Sequence, residues 1–366
     1  MQIRIARREL IVLGVVAIGL AARLIAAASS DNGNYDQRSY EIVVGIMRRG
    51  GNVYAETQRY NYSPVWAYLL LALDTVARAA QLSLHFTIGV FLTLIDLVNA
   101  ALIGRIAARE GVPARVGFAA FLLNPVAVLI SAYQGQFETL AALPVLATLA
   151  FAPRLAIVWL LGTAAVIVKH LLTFAVWTLY AARFGPRRAI GASAATGLIF
   201  IALLVPFALL GAGADIVGNV FLYRGLCCFY GFAALLPEQL ARGAFAAVMI
   251  VMPLFALERL NLSIPALVRL SATALVAFIP GFGQQYFLVP VLFAAYAPSW
   301  WYAAFSAAVT AYLASTRDNI NVIATPFDAY YLTGIVWAIA LVWTAYLLRS
   351  AARAERRIPS AAALAR

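Results

Sequence analysis

Apolar runs of membrane-crossing length recur along the whole chain, and they allow only one kind of backbone. Leu10–Ala28, Phe86–Gly104, Ala189–Leu210 and Tyr330–Leu348 each approach or reach the roughly 20 residues that cross a bilayer as a helix. Hydrocarbon offers no partner for a backbone N–H or C=O, so such runs must bond within themselves. Only 11% of the residues are charged, against about 25% in a soluble domain, so a water-facing surface cannot be built from this chain. The expected fold is all-α: a polytopic transmembrane helical bundle of about twelve spans.

Charge sets the expected topology. The net charge of +12 is spread over short basic clusters between the apolar runs. That is the positive-inside pattern, and it argues against nucleic acid as the partner. Arg4, Arg7 and Arg8 precede the first span, which is read as a retained anchor although Ala26–Ala28 resembles a cleavage site. Residues 29–85 then form a first extracytoplasmic segment. Within it, Pro64–Ala77 is apolar but short and is interrupted by Asp74, so a helix lying in the outer interface is expected. With that choice Arg105, Arg109 and Arg115 fall inside.

The remaining spans alternate as Val116–Ala132, Phe137–Phe151, Leu155–Val168, Leu171–Ala182, Ala189–Leu210, Ala241–Leu257, Ala266–Gly281, Gln285–Ala297, Trp300–Ser315 and Tyr330–Leu348. A second outer loop covers 211–240. Residues 1–349 read as one membrane domain, 350–366 as a basic cytoplasmic tail, and both termini as cytoplasmic. Arg23, late in the first span, is expected to snorkel towards the interface. Asp96 is the clearest midplane charge and is expected to pair inside the bundle.

The cysteines carry little. Cys227 and Cys228 are adjacent and cannot form an ordinary disulfide with each other. His85 and His170 are the only histidines, so no His/Cys metal-ligand spacing exists.

Mixed polar chemistry collects on the outer side. NYDQRSYE runs from Asn34 to Glu41, and YNYSPVWAYLL from Tyr60 to Leu70. Asn124–Pro125 is followed by YQGQFE, from Tyr133 to Glu138. Lys169 and His170 occupy an outer turn, and GQQYFLVP runs from Gly283 to Pro290. Carboxylates among aromatic rings suit a sugar, whose hydroxyls and ring faces they complement; they also suit an interfacial aromatic belt.

Taken in order, these stretches resemble the GT-C superfamily of polytopic glycosyltransferases, in particular the GPI mannosyltransferase I catalytic subunit and bacterial polyprenol-phosphate-mannose enzymes. The likeness rests on Tyr60, Tyr62, Ser63 and Pro64, then Asn124, Pro125, Gly135, Gln136 and Glu138, then Gln285, Tyr286, Phe287, Leu288 and Pro290. It implies a GT-C-like bundle in a bacterial plasma membrane that transfers mannose or another hexose, with inversion, from a polyprenyl-phosphate sugar donor. The acceptor would be a glycan or glycolipid outside the cytoplasm.

One departure matters. Where the family often has Asp-x-Asp, this chain reads Asn34, Tyr35, Asp36. A single carboxylate weakens a metal site, since a hard cation takes several oxygen ligands, but does not exclude one. No cofactor is expected.

The resemblance assigns Asp36 as general base, because an attacking hydroxyl must lose its proton. Glu138 would orient acceptor or sugar, or merely complement a helix N-terminus. Arg224 is the leading phosphate ligand, with Lys169 and His170 as further cations. Tyr62, Gln136, Gln285 and Tyr286 would contact the donor. Two rival classes remain: a secondary transporter, whose site would lie at the midplane, and a non-catalytic lipid-phosphate-binding or flippase-like protein.

Overall fold

α1 (Arg7–Ala28) and α2 (Tyr35–Arg48) show the two helix types from which the chain is built. The first is apolar along its length with much of its surface outward. The second is amphipathic and buries Gln37, Tyr40, Val43, Val44 and Ile46 on one face. The computed structural model describes residues 7–30, 34–223, 226–227, 230–315 and 329–356.

The single turn α3 (Val53–Glu56) is followed by α4 (Pro64–Ala79), α5 (Leu84–Arg109), α6 (Ala114–Leu122) and the short α7 (Pro125–Ala127). Next come α8 (Glu138–Phe151), α9 (Leu155–Val168), α10 (Thr173–Phe184), α11 (Pro186–Phe207) and α12 (Gly213–Ile216). The last third contains α13 (Glu238–Arg259), α14 (Ile264–Phe278), α15 (Leu288–Ala294), α16 (Trp300–Ser315) and α17 (Ala329–Arg356). Two two-residue strands, β1 (Leu226–Cys227) and β2 (Gly281–Phe282), pair antiparallel.

The protein is thus all-α, with helices fit for a membrane. Among the described residues, five helices are long and apolar enough to cross one, or six if one bent pair counts as a span. That is fewer than the twelve expected from the sequence. The further apolar helices are short: α8 and α9 have 14 residues each, about 21 Å at 1.5 Å per residue, against a hydrocarbon thickness of about 30 Å. Both carry their charge, Glu138 and Lys169, at one end, and this places polar groups where a longer span would continue.

The bent pair corrects the expected continuous span Val116–Ala132. Proline disfavours α geometry in the residue before it, and Asn124 is extended, its side chain accepting from Val126 N–H at 2.9 Å. The axis turns by 45° there, and Val128–Tyr133 continues as π-helix. The Asn124 amide also donates to the Tyr302 hydroxyl and to Ser306 Oγ, both at 2.9 Å, so this motif residue has a structural role.

Arg23 does not snorkel. It is fully buried; its Nε donates to Asp96 Oδ2 at 2.9 Å, and its Nη1 to the carbonyls of Gly19 and Leu122. Gly19 is the reason it fits: a Cβ there would collide with Leu122. Asp96 is paired inside the bundle as expected.

The bundle has two chemically distinct ends. At one, Arg105 and Arg109 donate to the last carbonyls of α8, and Arg183 donates to Pro153. Cations at a helix C-terminus satisfy its free carbonyls and its dipole. At the opposite end of α8 stands Glu138, and α9 returns from the arginine end to Lys169. The basic topology markers and the mixed polar cluster therefore occupy opposite ends of the same two helices.

Candidate functional site

Asp36 is placed by a cap. Asn34 is extended and its side-chain oxygen accepts from Gln37 N–H at 2.8 Å, starting α2 so that Asp36 falls in its first turn. An anion there is favoured by the helix dipole. The loop end is also tied across the chain: Ser30 Oγ donates to Tyr133 O at 2.5 Å, Gln37 Nε2 to the same carbonyl at 2.9 Å, and Asn34 Nδ2 to Gln134 O. The first loop is therefore fastened to the turn that carries Gln136 and Glu138.

That turn depends on Gly135, whose φ of 70° suits a residue without Cβ. It aims Gln136 at α2, where Nε2 donates to Asp36 Oδ2 at 2.5 Å. Phe137 stacks on Trp66 at 3.9 Å, and Glu138 opens α8.

The Tyr-x-Tyr-Ser-Pro stretch builds a wall. Ser63 caps α4, accepting from Val65 N–H, while its own hydroxyl donates to Ile167 O near the end of α9. The Tyr60 hydroxyl donates to Ser63 O and accepts from Ala67 N–H; the Tyr54 hydroxyl holds Tyr62 O at 2.7 Å. Tyr62 is left edge-on to Phe137 at 4.9 Å, facing the turn after α9.

In that turn Lys169 is buried and donates to Glu138 Oε1 at 2.6 Å. Its ammonium also lies over the rings of Phe137, at 4.3 Å, and Tyr62, at 5.1 Å. At His170, burial first and the neighbouring Lys169 charge second push the pKa down to about 4, which favours the uncharged ring at neutral pH.

The β1–β2 pairing brings the second outer loop against the late motif, with Leu226 opposite Phe282 and Cys227 opposite Gly281. Gln285 and Tyr286 follow in a short 3₁₀ turn. Arg224 lies outside the described residues, as do Asp31 and the polar patch 316–328. Tyr223 is described and stands with Gln285 and Tyr286.

These pieces enclose one cleft of about 130 Å³, lined by Asp36, Tyr62, Lys169, His170, Tyr223, Gln285 and Tyr286 together with Tyr35, Tyr40, Gln58 and Arg59. Gln136 and Glu138 stand just behind, one on Asp36 and the other on Lys169. Eight of the nine residues picked from sequence are thus gathered at one place, from five separate stretches of the chain.

Arg59 is the addition. Its guanidinium lies 4.2 Å over the Tyr35 ring, and among the described residues it makes no ion pair. In the sequence it stands immediately before the Tyr60–Pro64 stretch.

The two carboxylates differ in standing. Glu138 is committed to Lys169, whereas Asp36 receives only a neutral amide and opens to the cleft. Burial raises the Asp36 pKa above the ordinary carboxylate range, opposed by the Lys169 charge and the Gln136 hydrogen bond. Among the described residues no group of three or more His, Cys, Asp or Glu is placed to hold a metal. Unpartnered buried atoms remain at the cleft floor: Gln136 Oε1, Glu138 Oε2 and the Tyr40 hydroxyl.

A pH prediction follows from these charges. Were Asp36 to serve as a general base, which works only when ionised, kcat/KM would fall as pH drops through its raised pKa, with the acid limb above the usual value of about 4. Lys169 holds that pKa down, so Lys169→Met should move the limb to higher pH. A limb that stays put in the variant would detach Lys169 from Asp36.

No family model, no curated protein and no solved structure matches this chain.

Proposed function

We propose that the chain is a membrane glycosyltransferase of GT-C type. It moves a sugar, mannose by resemblance, from a polyprenyl-phosphate donor to a hydroxyl of a glycan or glycolipid acceptor. The observation that carries the reading is the gathering of Asp36, Tyr62, Lys169, Gln285 and Tyr286 around one cleft, with Asp36 oriented by Gln136. In this reading the cleft faces the extracytoplasmic side of a bacterial plasma membrane. Both termini are cytoplasmic, the short helices bring the total to about twelve spans, and Pro64–Ala77 lies in the outer interface.

The chemistry is a single displacement. Asp36 takes the proton of the acceptor hydroxyl as its oxygen attacks the anomeric carbon. The bond from that carbon to the phosphate oxygen breaks, its electron pair leaves with the polyprenyl phosphate, and the configuration inverts. Lys169, Arg59 and Arg224 are the cations available to the leaving phosphate. Aromatic rings offer apolar faces to the sugar, and Gln285 and Tyr286 offer hydrogen bonds to its hydroxyls.

The test is purified protein in liposomes, supplied with radiolabelled polyprenyl-phosphate mannose and then with other lipid-phosphate sugars. Transfer to a saccharide acceptor supports the reading; no consumption of any of them sinks it. Arg59→Ala and Arg224→Ala should each weaken donor binding about tenfold to a hundredfold, since a charge-assisted hydrogen bond contributes roughly 1.5–3 kcal/mol. Arg353→Ala, at the other end of the chain's topology, should change little. Equal effects of all three would remove both arginines from the phosphate site.

A further inference from the structure

The end of the bundle away from the cleft carries a trough of its own. α13 and α17 are two of the five helices long and apolar enough to cross a membrane, and both pack on α14. Between them two open cavities, about 670 and 770 Å³, share Val251, Phe255, Leu260 and Ala352 as walls and so form one space. Small side chains keep it open: Ala247 on α13, Ala345 and Ala352 on α17. Leu267 and Leu270 of α14 cluster with Leu260, Leu348 and Ala352 and close its floor.

The mouth of the trough is charged. Arg259, the last residue of α13, Glu258 beside it and Arg349 on α17 line it. All three are exposed, and among the described residues none of them makes an ion pair. Ser263, just past this end of α13, donates to Glu110 next to Arg109, so the mouth belongs to the arginine end of the bundle. The depth is that of one leaflet. Ala247 to Arg259 covers about 18 Å of helix at 1.5 Å per residue, against about 15 Å for half the hydrocarbon core. A membrane helix of a partner would need contact along the whole span, and the trough offers it half.

We propose that the trough seats an acyl chain of a phospholipid whose head carries both a phosphate and a primary ammonium, as phosphatidylethanolamine does. Arg259 and Arg349 take the phosphate, and Glu258 takes the ammonium. A purely anionic head would meet the Glu258 carboxylate, and a choline head offers that carboxylate no N–H. Inside a bilayer other tails are as apolar as the trough, so the head contacts set the preference. The site stands apart from the sugar chemistry at the other end.

The full chain, extracted into detergent and delipidated, is given equal amounts of phosphatidylethanolamine, phosphatidylglycerol and phosphatidylcholine with identical acyl chains. Native mass spectrometry reads which lipids stay bound. Wild type should retain phosphatidylethanolamine above the other two. Arg259→Gln and Arg349→Gln should each lower its occupancy about twofold to fivefold, the range of an exposed ionic contact. Glu258→Gln should erase the preference over phosphatidylglycerol. Ala345→Leu fills the trough from its wall and should lower retention of all three lipids. Arg353→Gln, exposed on α17 but outside the trough, should behave as wild type.

Wild-type protein that retains phosphatidylglycerol as well as phosphatidylethanolamine, or better, has a merely anionic site and overturns the assignment. Equal losses in Arg349→Gln and Arg353→Gln, or unchanged retention by Ala345→Leu, overturn the trough. A lipid-free dimer mass that Ala345→Leu splits gives the trough to a second copy of the chain and removes the lipid.

Discussion

Asp36→Asn is expected to leave a folded, membrane-inserted protein that binds the lipid-linked sugar but transfers it at least about 100-fold more slowly. A positioned general base contributes roughly 10²–10⁴-fold to rate. The amide keeps the size of the carboxylate and can still meet Gln136, so the local fold at the start of α2 should survive. It cannot take the acceptor's proton. Glu56→Gln is the control from the same loop: Glu56 is exposed, pairs with Arg49 and accepts from Asn52 N–H, far from the base's task. Exposed pairs of this kind contribute about 0–1 kcal/mol. The measurement is single-turnover transfer with saturating donor, alongside donor binding. Full activity in Asp36→Asn with loss in Asp31→Asn would mean that the base was assigned one register too late. Activity in both variants would remove a loop carboxylate from the chemistry.

The candidate site was more legible in the sequence than the membrane topology was, and the reason is physical. Asp36, Gln136, Glu138 and Lys169 belong to stretches where polar residues stand at the ends of apolar runs. A chain that alternates across a membrane brings every second such end to the same side. The alternation alone thus put them on one face, and the caps at Asn34 and Ser63 and the turn at Gly135 completed the assembly. None of the pairings inside it could be read in advance. Glu138 and Lys169 are 31 positions apart, Gln136 and Asp36 are 100 apart, and nothing local in either partner specifies the other. The lowered His170 pKa was no more legible, since it comes from burial and from Lys169, neither of which is visible in residue type.

Span counting met a different obstacle. Hydropathy registers how apolar a run is but not whether its backbone stays straight. Val116–Ala132 is apolar enough to span, yet Asn124–Pro125 breaks it. Pro64–Ala77 was read as short of a span and interrupted by Asp74, and the helix runs only to Ala79. The Asp74 carboxylate is met by Arg48 of α2 and by Arg78 one turn ahead. Neither arginine lies in the apolar run itself, so a window along the chain gives Asp74 its cost without its compensation.

Arg23 and Asp96 make the strongest test of the transporter reading, because a buried charge pair that does not line the cleft is where such a site would sit. The pair is shielded on both sides: neither side chain has exposed surface, and the Arg23 guanidinium is also held by two backbone carbonyls. A single substitution that leaves one ion buried without its partner costs about 3–5 kcal/mol, whereas replacing both by apolar groups of similar volume is often neutral or stabilising. Arg23→Met is therefore expected to lower the thermal stability of the detergent-solubilised protein sharply. Arg23→Met combined with Asp96→Leu should recover most of it. Sugar transfer by the double variant should stay near wild type, because neither residue lines the cleft. A double variant that is as stable as wild type but inactive would give Asp96 a chemical role at the midplane. In that event the polar cleft becomes an entrance to a transport path, and the transferase reading gives way.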